Sequence, residues 1–82
     1  MNTEPDPPLD HIWRTGESVR ITYAGRTVLG KVILASSNGR SLALEFDAML
    51  GGWPGGMPVL WDDATASFRD LGPGLEVRIS KP

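Results

Sequence analysis

The chain has 82 residues, ten of them glycine, seven proline and none cysteine, with a formal net charge of −2. That length holds one small domain, and without cysteine there is neither a disulfide framework nor a thiol nucleophile. A single histidine, His11, leaves a structural zinc site without its usual ligands. No apolar run of about 18 residues and no basic-then-apolar leader points to a membrane span or a secretion signal, so a soluble, cytoplasmic protein is expected.

The charges are segregated. Residues 1–13 carry Glu4, Asp6 and Asp10, residues 14–40 carry five basic groups against Glu17, and residues 41–76 carry six acids against Arg69. An acidic total argues against nucleic acid as the main partner, because sequence-independent binding rests on phosphate neutralisation. The basic 14–40 segment keeps RNA or single-stranded nucleic acid as an alternative.

Residues 1–10, MNTEPDPPLD, combine Pro5, Pro7 and Pro8 with three acids and offer little to bury. They are expected to be a disordered tail ahead of a single domain over 11–82. His11, Ile12 and Trp13 form a short apolar patch suited to covering a barrel end or edge. From Ser18 the apolar residues recur with period two, so Val19, Ile21 and Tyr23 share the buried face of a first strand. Ala24-Gly25 then suits a two-residue reversal.

A second strand runs from Arg26 to Ala35, and Gly30 in its middle suggests a bulge or bend. Asn38-Gly39 predicts a type I′ hairpin tip. A third strand follows over Arg40–Asp47, with Leu42, Leu44 and Phe46 inward. Residues 48–56, AMLGGWPGG, read as a glycine loop with Trp53 at its tip. Met57–Trp61, Thr65–Arg69 and Leu75–Ile79 complete the strands, Trp61 pointing into the core with Val59. Helix periodicity is absent apart from single 3₁₀ turns suggested at Asp47–Leu50 or near Leu71. The fold expected is all-β, a small five- to six-stranded barrel of the SH3-like type, with an OB-like barrel as second choice.

The segment from Gly30 to Leu60, with ILASSNGRSLALEFDAML at its centre and Gly-Gly-Met-Pro-Val-Leu after it, resembles a group of small uncharacterised bacterial proteins with an SH3-like barrel. The resemblance covers about residues 16–80; it implies the fold and no activity. A cyclic-dinucleotide receptor of the PilZ type does not fit. Arg14 and Arg20 have the wrong spacing for its arginine pair, and Asn38-Gly39-Arg40-Ser41 does not reproduce its second motif.

Chemistry-bearing residues are few. His11 borders the tail and has no evident partner. Asp62-Asp63 suits a turn better than a cation, since neighbouring carboxylates on a strand end diverge and hard cations need six or more oxygens. Ser36, Ser37 and Ser41 surround a turn with no base nearby. No phosphate loop or hydrolase motif occurs, and the 51–56 glycines precede no helix. No enzyme activity, cofactor or metal is therefore expected. Two uses compete for Trp53: capping an open barrel end, or joining Tyr23, Met57 and either Trp61 or Trp13 in an aromatic surface for a protein or peptide ligand. Arg20, Arg26, Lys31 and Arg40 form a candidate basic face, either paired with Glu45 and Glu76 or open to single-stranded nucleic acid. A homo-oligomer built on an open barrel edge is a further possibility. The function expected is a non-catalytic binding or adaptor module.

Overall fold

The computed structural model of the chain describes residues 11–82, so the expectation of a disordered 1–10 segment lies outside the described residues. Six strands follow one another: β1 (Ser18–Tyr23), β2 (Arg26–Ala35), β3 (Ser41–Leu50), β4 (Trp53–Asp62), β5 (Ser67–Asp70) and β6 (Glu76–Ser80). Each pairs antiparallel with the next, and β1 also pairs with β6, closing the meander into a barrel. The described residues contain no helix. Accordingly, none of them forms a helix long and apolar enough to cross a membrane.

Period-two patterning places the core. Val19, Ile21 and Tyr23 of β1 are buried, as are Leu42, Leu44, Phe46 and Leu50 of β3 and Met57 and Val59 of β4. Phe68, Val77, Val32 and Trp13 complete the interior. Fully buried side chains such as Ile21, Leu44, Leu50 and Val59 each contribute about 1.5–3 kcal/mol through removal from water.

A barrel of so few strands must coil strongly, and irregular pairing supplies the bends. The β2–β3 register shifts between Val32 and Leu34, not at Gly30 as the sequence suggested. Gly30 stays in regular register with Val19 and Phe46. It is glycine because a Cβ there would lie 2.3 Å from the Glu45 carbonyl oxygen. A second shift, between Glu45 and Met49, bends β3 against β4.

The 48–56 run is a hairpin rather than a loop. β3 continues to Leu50, which pairs with Trp53 across a Gly51-Gly52 turn, and Met49 pairs with Pro54. Gly51 takes φ 57° and Gly55 φ 79°. A Cβ on Gly56 would meet the Leu44 carbonyl oxygen at 2.9 Å. The glycines that resemble loop composition thus serve a turn, a bend and a close backbone approach.

The Asn38-Gly39 hairpin is also wider than a two-residue I′ turn. Gly39 takes φ 73°, whereas Asn38 does not enter the positive region. The Gly39 N–H bonds the Ser36 carbonyl at 3.0 Å, and Asn38 Oδ1 accepts from the Arg40 N–H at 3.0 Å. At the other end, β5 starts at Ser67 instead of Thr65, because residues 63–66 form a turn with Ala66 at φ 52°.

The alternating meander gathers the β1–β2, β3–β4 and β5–β6 connections at one end, called the upper end, and the β2–β3 and β4–β5 connections at the lower end. His11–Gly16 straps the lower end. Ile12 rests on Gly39, Trp13 is buried in the core cluster, and the Gly16 N–H bonds the Val32 carbonyl at 2.7 Å. The sequence expectation that this apolar patch covers a barrel end matches that placement.

Candidate binding groove

Closure of the barrel is weakest beside β6. The β5–β6 ladder holds two residue pairs, Phe68 with Val77 and Arg69 with Glu76, and the β1–β6 ladder three. Arg78, Ile79 and Ser80 therefore have no ladder partner on the β5 side. The strands part there, and a groove of about 810 Å³ opens between the start of β5 and the end of β6, with the strap at its lower side.

Aromatic rings back this groove. Trp61 and Phe68, cross-strand partners in β4 and β5, meet edge to face with centroids 5.1 Å apart. His11 and Trp13 meet in the same manner at 4.5 Å on the strap. Phe68 and Trp13 are buried, while Trp61 and His11 stay partly exposed, so the last two present ring surface to the groove. The Trp61 indole N–H donates to Asp63 at 2.9 Å, which fixes the ring's direction.

Charged groups rim the aromatic surface. Arg78 bonds Glu76 at 3.3 Å, and Lys81 has no ion pair among the described residues. His11 Nε2 lies 2.9 Å from Glu17 Oε1; a carboxylate only accepts, so that nitrogen carries the proton. Glu17 also accepts the Arg14 N–H at 2.6 Å. The His11 bond first, and then the Arg14 bond, holds the Glu17 carboxyl below its ordinary value. These bonds tie the strap down and keep His11 against the groove wall.

The aromatic set suggested by the sequence is not brought together on the surface. Tyr23, Met57 and Trp13 are each at most 6% exposed, and Trp53 is half-buried over the upper end. Tyr23 and Trp53 instead meet at Asp70, the one buried charged residue of the described core. Asp70 Oδ2 accepts the Tyr23 hydroxyl at 2.5 Å and the Trp53 indole N–H at 2.9 Å. Its Oδ1 accepts the N–H groups of Gly74 and Leu75 at 2.7 and 2.8 Å. Burial pushes the Asp70 carboxyl up, but these bonds together outweigh it and hold the group below its ordinary 3.8. The bond to Asp70, and then burial, raises the Tyr23 hydroxyl above its ordinary 10.0. This network closes the upper end and consumes every polar atom it contains.

Nor do the basic residues gather on one face. Arg26 and Arg40 lie near opposite ends of β2, the first bonding the Met49 carbonyl at 2.8 Å and the second Asp63 at 2.8 Å. Lys31 stands opposite Glu45 in the β2–β3 ladder, and Arg20 is exposed next to it on β1, diagonal to Lys31. Asp62 and Asp63 diverge as the sequence suggested. Asp62 caps the turn through the Ala64 N–H at 3.0 Å and the Thr65 hydroxyl at 3.0 Å, while Asp63 takes Arg40 and Trp61. The first of these bonds, and then the second, lowers the Asp62 pKa.

Sequence reasoning missed the groove. Trp61 reads as a core residue from its alternation with Val59, and only the seam between β5 and β6 makes it, with Phe68, a wall of the groove. No family model, no curated protein and no solved structure matches this chain. The barrel therefore rests on its own strand pairing and not on membership of a family.

Proposed function

We propose that this barrel is a non-catalytic, SH3-like binding module that takes an extended peptide segment along the β5–β6 seam. One observation carries the reading: a stretch of β6 edge without a partner on its β5 side, Arg78–Ser80, runs beside partly exposed aromatic rings in a groove of about 810 Å³. An extended ligand gains from both, since its backbone bonds the free edge or its flat side chains stack on the rings. The polar groups at hand bind and orient. His11 is engaged with Glu17, and the Ser67 hydroxyl with Thr65 at 2.8 Å.

Selection of displayed random decapeptides on the immobilised chain tests this. Enriched peptides should shift the amide resonances of Trp61, Phe68 and Val77–Ser80, and Arg78→Glu should weaken them without unfolding the barrel. Shifts confined to another face, or no enrichment at all, would overturn it.

Self-association is a second reading, favoured by an outward apolar row. Leu34 stands opposite Ala43, Ala43 opposite Pro58, and the Leu71 N–H bonds the Pro58 carbonyl at 3.2 Å. Leu34 and Leu71 are 67% and 59% exposed. Such a row across three strands and the residue that follows β5 suits a second copy. Light scattering across a dilution series decides it: a monomer at all concentrations removes this reading and leaves the groove untouched.

A further inference from the structure

We propose that in the free chain the groove is occupied in cis by residues 1–10, which compete there with any external peptide. The inference rests on the groove being a peptide site. Its first support is connectivity, because the segment joins the described body at His11, itself part of the groove wall. In a polyproline II conformation, Pro8 and Pro5 reach about 9 and 19 Å from His11. The opposite wall, Glu76–Lys81, is about 17 Å long as a strand. Pro7 and Pro8 thus fall within the span of the groove, with Pro5 just beyond its far end.

Chemistry is the second support. Pro5-Asp6-Pro7-Pro8 is pre-set for the left-handed extended helix and loses little entropy on docking, and such segments seat their rings on aromatic grooves. Trp61 and His11 supply those ring faces. Charge is the third. Glu4, Asp6 and Asp10 lie in the segment, leaving the remaining chain with eight basic residues against seven acids, a formal +1. Lys81 and Arg78 stand on the groove rim. A short tether also sets an effective concentration of order millimolar, so a weak contact suffices to hold the segment.

The chain has no cysteine, so Thr3→Cys gives a single attachment point for a nitroxide. In the labelled 82-residue chain, the amides of Trp61, Phe68 and Arg78–Ser80 should broaden. The triple variant Pro5→Ala, Pro7→Ala, Pro8→Ala should restore them and bind a selected external decapeptide several-fold more tightly, since the competing state is lost. Broadening confined to the residues adjoining His11, or unchanged in the triple variant, overturns the proposal. So does broadening of an unlabelled isotope-enriched chain mixed with labelled copies, which would mean docking in trans. If external peptides still shift Trp61 and Arg78 while the label leaves them sharp, the peptide site stands and the cis occupant falls. If neither happens, both fall.

Discussion

The indole N–H of Trp53 donates to Asp70 Oδ2 at 2.9 Å, joining the first residue of β4 to the last of β5. The same oxygen accepts the Tyr23 hydroxyl from β1. Three strands are thereby fixed at one end of the barrel by a single buried carboxylate. Gly72 lets the connection after β5 pass under the indole, since a Cβ there would lie 3.1 Å from Trp53 Cζ2.

Removing the acceptor should cost more than removing either side-chain donor. Asp70→Ala leaves a hydroxyl, an indole N–H and two backbone N–H groups without a partner, and a loss of about 3 kcal/mol or more is expected. Tyr23→Phe and Trp53→Phe each delete one bond to a charged acceptor, with expected losses of about 1.5–3 kcal/mol. Urea midpoints of the three variants check the order; equal losses would mean that packing, not the carboxylate, sets stability at this end.

Stability should fall on both sides of neutrality for opposite reasons. The folded-state pKa of Asp70 is lowered, so its contribution is complete above the unfolded value and is lost as pH drops through the folded one, below an ordinary 3.8. Tyr23 is raised above 10.0, so its contribution is complete below the unfolded value and disappears as pH climbs through the folded one. Denaturant titrations across pH should show Asp70→Asn flattening the acid limb and Tyr23→Phe the alkaline limb.

Alternation was enough to find β1, and flanking turns bounded β2, whose apolar residues fall on both faces; the bounds of both strands agree with the sequence reading. The burial of Tyr23 and Met57 was legible too: Tyr23 has the parity of Val19 and Ile21, and Met57 that of Val59. Weighing them as a surface overlooked that parity. The extension of β3 to Leu50 was not legible, because glycine composition does not distinguish a mobile loop from a backbone pressed against another strand. Asp70 was hidden for a different reason. Its Tyr23 partner is 47 residues away, and only barrel closure brings them together. The groove shares that origin, as it exists where two ladders end.

The β1–β2 turn carries a correctable strain. Ala24 has φ 52° and Gly25 φ 80°, with Tyr23 and Arg26 paired across them. A Cβ in the left-handed region costs about 1–2 kcal/mol, which Asn tolerates better than Ala. Ala24→Asn should therefore stabilise the chain by about 0.5–1 kcal/mol, raising Tm by about 2–8 °C for a domain of this size. A scanning calorimetry trace with unchanged Tm would show that the turn relaxes around alanine.

Gly30→Ala should do the reverse, although the φ of Gly30 lies outside the positive region. The added methyl would sit 2.3 Å from the Glu45 carbonyl oxygen and 2.8 Å from Ile21 Cδ1. Ile21 can rotate away, but the carbonyl belongs to the β3 backbone in a ladder between Lys31 and Glu45. Separating β2 from β3 at that point also disturbs the register that brings Phe46 inward opposite Gly30. A loss of about 3 kcal/mol is expected. Hydrogen exchange then separates strain from simple unfolding: protection should drop first at Lys31 and Glu45, with β5 and β6 following only at the global transition.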